Sequence, residues 1–306
     1  MASLQHPNPT MPRSLNRLRN PSIIYLLWVV LCCLLFLSPL TALVQYSLAN
    51  DNASHILVIP VIVAWLFFVD RQKLQTSPRF ELLAALPVAV ASALVAALAE
   101  WRFTTATQTG ISLFTLSWAL LLISGFLAVF GRASSKSVWF DLAFLGFAIP
   151  LPELLLNRFI YILQLGSAAV AEWMFTLSGV PFLRNGFKFH LAGWNIEVAR
   201  ECSGIRSSIA LLILAVLVAH FSFTQFWKKV VFVAAGLLMM VVKNGVRIAT
   251  LTLLAKYVNP NFLFGGLHHD GGVVFFLLGL ALLIPVYFLL RRGDPLAAPR
   301  RPEALV

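Results

Sequence analysis

The sequence predicts an all-α polytopic membrane protein, a bundle of about eight transmembrane helices with one small β-hairpin outside the membrane. Three observations predict it. Of the 306 residues, 59% are hydrophobic and only 11% are charged, against about 25% charged in a soluble domain. The mean hydropathy is +0.86. The apolar residues also gather into runs of about 20, the length that crosses a bilayer, with the basic residues between them.

Lys and Arg number 23 against 12 Asp and Glu, a formal net charge of +11. In a soluble protein such an excess points to nucleic acid. Here the cations cluster in alternate loops, as the positive-inside rule requires, so no nucleic-acid partner is expected. Three cysteines, two of them adjacent (Cys32 and Cys33), give neither a disulfide framework nor a metal-ligand spacing.

Residues 1–20 carry Arg13, Arg17 and Arg19 ahead of a long apolar run. The run is too long for a signal peptide and lacks a small-residue cleavage site. It reads as an uncleaved first span, Ser22–Val44, behind a cytoplasmic tail. His55–Val69 returns to Asp70, Arg71, Lys73 and Arg79 inside. Phe80–Ala99 goes out, Ile111–Phe130 returns to Arg132 and Lys136, and Val138–Pro150 goes out again.

Leu154–Leu177 carries Asn157, Arg158, Gln164 and Glu172. It is expected to lie in the outer interface or to fold back within the protein. Alternation in residues 187–191 and 194–198, split by Ala192-Gly193, predicts an extracytoplasmic hairpin. Ser203–Phe221 then descends to Lys228 and Lys229, and Val230–Val242 rises to Lys243, Asn244 and Arg247. Ile248–Gly266 is expected to be amphipathic or re-entrant. Gly271–Leu290 descends to Arg291 and Arg292. One transmembrane domain, residues 21–292, is thus expected between two cytoplasmic tails, the second (293–306) rich in proline and disordered.

Cys202 stands apart from the other cysteines. It lies at the edge of an apolar run, among Arg200, Glu201, Ser203, Gly204 and Arg206, surroundings able to tune a thiol. The predicted topology brings it to one face with Asn244 and Arg247, and with His268 and His269 before the last span. A thiol must become a thiolate to attack, from a reference pKa of about 8.5. The helix opening at Ser203 offers a positive dipole end. An imidazole can take the proton and return it to a leaving amine. An arginine can hold the oxyanion of a tetrahedral intermediate. The set suits acyl transfer from a peptide bond through a thioester. Arg206 and Asn244 would support it, Arg206 by orienting or charging the site.

Glu-Cys-Ser-Gly-Ile-Arg-Ser (201–207), Asn-Gly-Val-Arg-Ile (244–248) and His-His-Asp-Gly-Gly-Val-Val-Phe-Phe (268–276) resemble the three motifs of the exosortase/archaeosortase family. Residues 54–60, 150–152, 163–168 and 179–186 are similar to further blocks of it. The resemblance implies a polytopic membrane cysteine transpeptidase or protease. Its substrates would be membrane-anchored proteins with a C-terminal sorting signal: a short motif, a transmembrane helix and a basic tail. By motif, Cys202 would be the nucleophile and Arg247 the catalytic arginine. His268, at the spacing His-x3-Gly-x3-Phe to Gly272 and Phe276, would be the histidine, with His269 beside it as the other candidate.

No cofactor or metal is implied, because three consecutive residues such as His268, His269 and Asp270 rarely converge on one ion. Expected partners are the protein substrates and the lipids of the cell membrane, with the active site at the extracytoplasmic face. The rival reading is a non-enzymatic transporter or assembly subunit, or a polymerase, for exopolysaccharide. It needs no sulfur at Cys202.

Overall fold

The computed structural model of the protein describes residues 20–74, 80–198, 205–264 and 272–294. Eleven α-helices and one three-stranded sheet are found among them. Seven helical stretches are long and apolar enough to cross a membrane, eight if the bent first pair is one span. The chain is therefore a polytopic helical membrane protein. Its exposed side chains agree: Leu83 is 85% and Trp101 81% exposed, a surface that lipid covers and water would not.

The chain divides into two compact units, Met1–Glu153 and Leu154–Val306. In the first, α1 (Pro21–Leu35) and α2 (Leu37–Ala49) replace the single span expected over Ser22–Val44 and are bent by 77°. Pro39 explains the break. It has no N–H to donate, and its ring would strike the Leu35 carbonyl four residues earlier in a continuous helix.

A 3-10 turn (Asp51–Leu57) leads into α3 (Ile59–Val69). Next come α4 (Leu82–Arg102) and α5 (Gln108–Ser137), the latter kinked at Gly131, whose φ of 75° only glycine adopts freely. Small residues let α4 and α5 lie close. The Ser92 hydroxyl donates to the Ser117 carbonyl at 2.8 Å, and the Ser117 hydroxyl donates back to the Ser92 carbonyl at 2.9 Å. Such exchanges hold helices together where lipid removes the hydrophobic contrast.

On the other flank of α5, the Trp28 indole of α1 donates to the Leu121 carbonyl at 3.1 Å. It lies over Gly125, where a Cβ would come within 2.0 Å of the indole nitrogen.

The expected span Val138–Pro150 is not one. It folds as α6 (Trp139–Phe144) and a 3-10 turn to Ala148. Ten helical residues reach about 15 Å, half of a bilayer core.

In the second unit, α7 (Glu153–Leu177) corrects the expectation of an interfacial or folded-back segment, because its 25 residues are apolar and long enough to cross. Two of its polar residues have partners within this unit: Gln164 donates to the Val198 carbonyl at 2.7 Å, and Glu172 pairs with Arg184.

The hairpin is a three-stranded antiparallel sheet, β1 (Phe182–Asn185), β2 (Lys188–Leu191) and β3 (Trp194–Glu197), in that spatial order. Gly193, at φ 83°, turns β2 into β3. Phe189 and Leu191 face inward and join Phe175 of α7 in one core cluster.

Helices α8 (Ile205–Ser222) and α9 (Phe226–Tyr257) follow, then α10 (Asn261–Phe264) and α11 (Gly272–Arg291). α9 is one continuous helix of 32 residues. The expected break after Val242 and the re-entrant stretch from Ile248 are therefore corrected.

Lys228, read from the sequence as a basic residue at the inner end of a span, is buried. It pairs with Asp294 at 3.5 Å, while Thr224 between α8 and α9 donates its hydroxyl to the same carboxylate at 3.0 Å. A buried pair is strongly destabilising to break from one side. It ties the residue beyond α11 to the α8–α9 turn.

Candidate active site beside α9

Small residues on α7 and α9 set the distance between these helices. A Cβ at Gly245 would lie 2.4 Å from Val170 Cβ and 2.8 Å from the Ser167 carbonyl oxygen. At Gly166 it would lie 2.6 Å from Val241 Cγ1. The close approach lets Asn244 donate to the Ser167 hydroxyl at 3.0 Å, with both groups buried. The Asn-Gly pair thus holds α7 with a hydrogen bond and a gap, and Arg247 follows three residues later on the same helix. Gly245→Val should therefore force α7 and α9 apart. Overpacking of this kind costs about 1–3 kcal/mol, read as a lower melting temperature of the detergent-solubilised protein.

The face toward α8 is polar at one point. Lys243 is 2% exposed, and its ammonium donates to the Ser207 hydroxyl at 2.6 Å. Its stem passes Gly279 of α11, where a Cβ would lie 3.2 Å from Lys243 Cδ and 3.3 Å from Leu211 Cδ2. Among the described residues no carboxylate pairs with Lys243. These bonds explain why Lys243 and Asn244 do not end the helix: a buried polar group is tolerated once partnered.

The Ser207–Lys243 contact also sets an approximate register. α8 and α9 are antiparallel neighbours joined by three residues, and Gly236 meets Ala215 further along, within one residue of the same offset. Arg247 stands four residues beyond Lys243, a rise of about 6 Å. α8 begins only two residues before Ser207. Arg247 therefore reaches past the first turn of α8, at the end from which the chain leads back to Cys202.

The other flank arrives at the same place. Val198 is 1% exposed and shares one core cluster with Ile248 and Ala249 of α9. Val198, in a core cluster shared with α9, and Ser207, bonded to Lys243 of α9, thus both belong to the surroundings of the α9 segment that carries Arg247. The Nε of Arg247 is buried, and Arg206 lies exposed on the first turn of α8.

Of the residues singled out from the sequence, Asn244 and Arg247 come together on α9, and Arg206 lies on α8. Cys202, Ser203, His268 and His269 lie outside the described residues. Reading by motif gave no role to Lys243, Ser207, Ser167 and Gln164, although the last three lie inside blocks it singled out. The available signal was polarity within an apolar run, which in a membrane helix marks an inward-facing group. Among the described residues no three His, Cys, Asp or Glu side chains gather as metal ligands.

The fold and this inward-facing polar seam define a polytopic helical membrane protein with a candidate site beside the middle of α9. A sequence model of the transmembrane exosortase family matches residues 46–285, more than three quarters of the chain. The protein belongs to that family. Comparisons with curated proteins and with solved structures find no match.

Proposed function

We propose that the protein is a membrane cysteine transpeptidase or protease that processes proteins bearing a C-terminal sorting signal. Cys202 Sγ attacks the carbonyl carbon of the scissile peptide bond while His268 takes the thiol proton. The guanidinium of Arg247 holds the oxyanion of the tetrahedral intermediate. The C–N bond then breaks, His268 gives the proton to the departing amine, and a thioester remains on Cys202. Water or an acceptor amine attacks that thioester, the C–S bond breaks, and the thiol is restored.

One observation supports the reading: of the residues flanking Cys202, Val198 shares a core cluster with Ile248 and Ala249 of α9, and Ser207 bonds Lys243, four residues before Arg247. The test is co-expression with a protein ending in a short motif, an apolar helix and a basic tail. Wild-type enzyme should shorten it and Cys202→Ala should not. Processing that survives in Cys202→Ala would instead favour the polysaccharide transporter or polymerase.

The site is proposed to face outward across the cell membrane, with both termini inside. This orientation is compatible with the helices found: α7 is long and apolar enough to cross where residues 138–150 are not, so with α1 and α2 counted as one span, five candidate crossings still precede Cys202. A membrane-impermeant thiol reagent on intact cells should therefore label Cys202 and spare Cys32, which is buried. Labelling that appears only after the membrane is opened would reverse the orientation.

A further inference from the structure

The last strand of the sheet is also the one nearest Cys202 in the sequence. Among the described residues β3 pairs with β2 alone, in the register Phe189–Ile196 and Leu191–Trp194. One residue on, the Val198 amide donates to the Phe187 carbonyl at 2.9 Å. Hydrogen-bonded and non-bonded pairs alternate along an antiparallel ladder. Trp194, Ile196 and Val198 therefore turn their main-chain groups toward β2, and Asn195 and Glu197 turn theirs away from it.

Both outward residues are exposed. Their side chains lean back over β2, Asn195 to His190 at 2.8 Å and Glu197 to Lys188 at 3.5 Å. Among the described residues, nothing bonds to the outward amides and carbonyls of Asn195 and Glu197. Such an edge is a template for another strand.

The opposite edge differs. On β1 the Arg184 side chain folds back to the Gly186 carbonyl at 2.9 Å and to Glu172, and that strand follows α7 rather than leading to Cys202. β3 lies five residues before Cys202 in the sequence. Attack on a peptide carbonyl requires a main chain that is extended and free of its own helical bonds. Edge pairing supplies that conformation through main-chain bonds, with little demand on side chains.

We propose that the free edge of β3, at Asn195 and Glu197, binds the extended main chain of the peptide substrate as an added strand on its approach to Cys202. This rests on the reading of Cys202 as the nucleophile. The ligand class is an unfolded peptide segment, about four to six residues long, lying just ahead of an apolar helix.

The test uses the full-length protein in membranes with Cys32, Cys33 and Cys202 replaced by alanine, so that substrate binds but is not consumed. Asn195→Cys is introduced, and single cysteines are placed at each of the six residues before the helix of a reporter that wild-type enzyme shortens. Facing Cβ atoms in paired strands lie about 4.5–5.5 Å apart, within reach of a disulfide under mild oxidation. Cross-linking is expected at alternate reporter positions. It should fall at least fivefold when the cysteine is moved to Leu183 on β1. Uniform cross-linking, none, or equal yield from Leu183→Cys would overturn the proposal.

A second measurement uses Glu197→Pro in the otherwise native enzyme, which deletes an outward amide. It should process the reporter at least tenfold more slowly than Glu197→Ala, and equal rates would also overturn the proposal. The Glu197→Pro comparison does not depend on Cys202→Ala activity, which tests the nucleophile alone.

Discussion

Cys202→Ser is expected to lower processing by a factor on the order of 1,000 or more, the scale lost when a nucleophile and its base no longer work as a unit. Serine copies cysteine closely in shape, so the loss isolates chemistry from packing. An alcohol is a far weaker acid than a thiol. A helix N-terminus, an arginine and one imidazole suffice to hold a thiolate, but they leave the alcohol protonated. The measurement is a gel shift of the co-expressed substrate at matched enzyme levels in the membrane. The level control matters because Val198 and Ile248 share a core cluster beside this stretch, and a misfolded variant would mimic the loss. More than about a tenth of wild-type activity in Cys202→Ser, at normal level, would remove the sulfur from the mechanism.

The helical membrane class was legible because a bilayer imposes a length and a composition that no other environment demands. The details that escaped depend on partners distant in sequence. Lys243 and Asn244 look like the end of a span when only their neighbours in the chain are considered. They sit mid-helix because Ser207 and Ser167, on two other helices, receive their hydrogen bonds.

α7 was misjudged for the same reason, since its Gln164 and Glu172 are matched by Val198 and Arg184. The break between α1 and α2 was different in kind, because Pro39 announces it locally. β1 was missed although Asn185-Gly186 is a turn dipeptide, as its four residues show little alternation. Within the site, the residue types and the Asn244–Arg247 spacing were readable from motif. The register that sets Arg247 beyond the start of α8 was not, since it follows from one contact across two helices.

Arg247→Lys is expected to reduce kcat by about 100- to 1,000-fold, the usual cost of one lost oxyanion donor, with KM changed little. The substitution keeps the charge and the helical position while removing the planar fork, so it separates two accounts of this residue. An arginine that merely snorkels toward an interface is replaceable by lysine, because both carry a flexible stem and a hydrated head. An arginine that grips an oxyanion through two N–H groups is not. Buried Nε and the register on α8 favour the second account.

Lys243 sharpens the contrast. It already places an ammonium one turn away, so charge alone is present in both proteins and cannot restore the rate. An unchanged KM is the diagnostic part, since it locates the lost interaction in the transition state rather than in substrate binding. Activity within fivefold of wild type would make Arg247 an interfacial residue and leave the oxyanion to another donor.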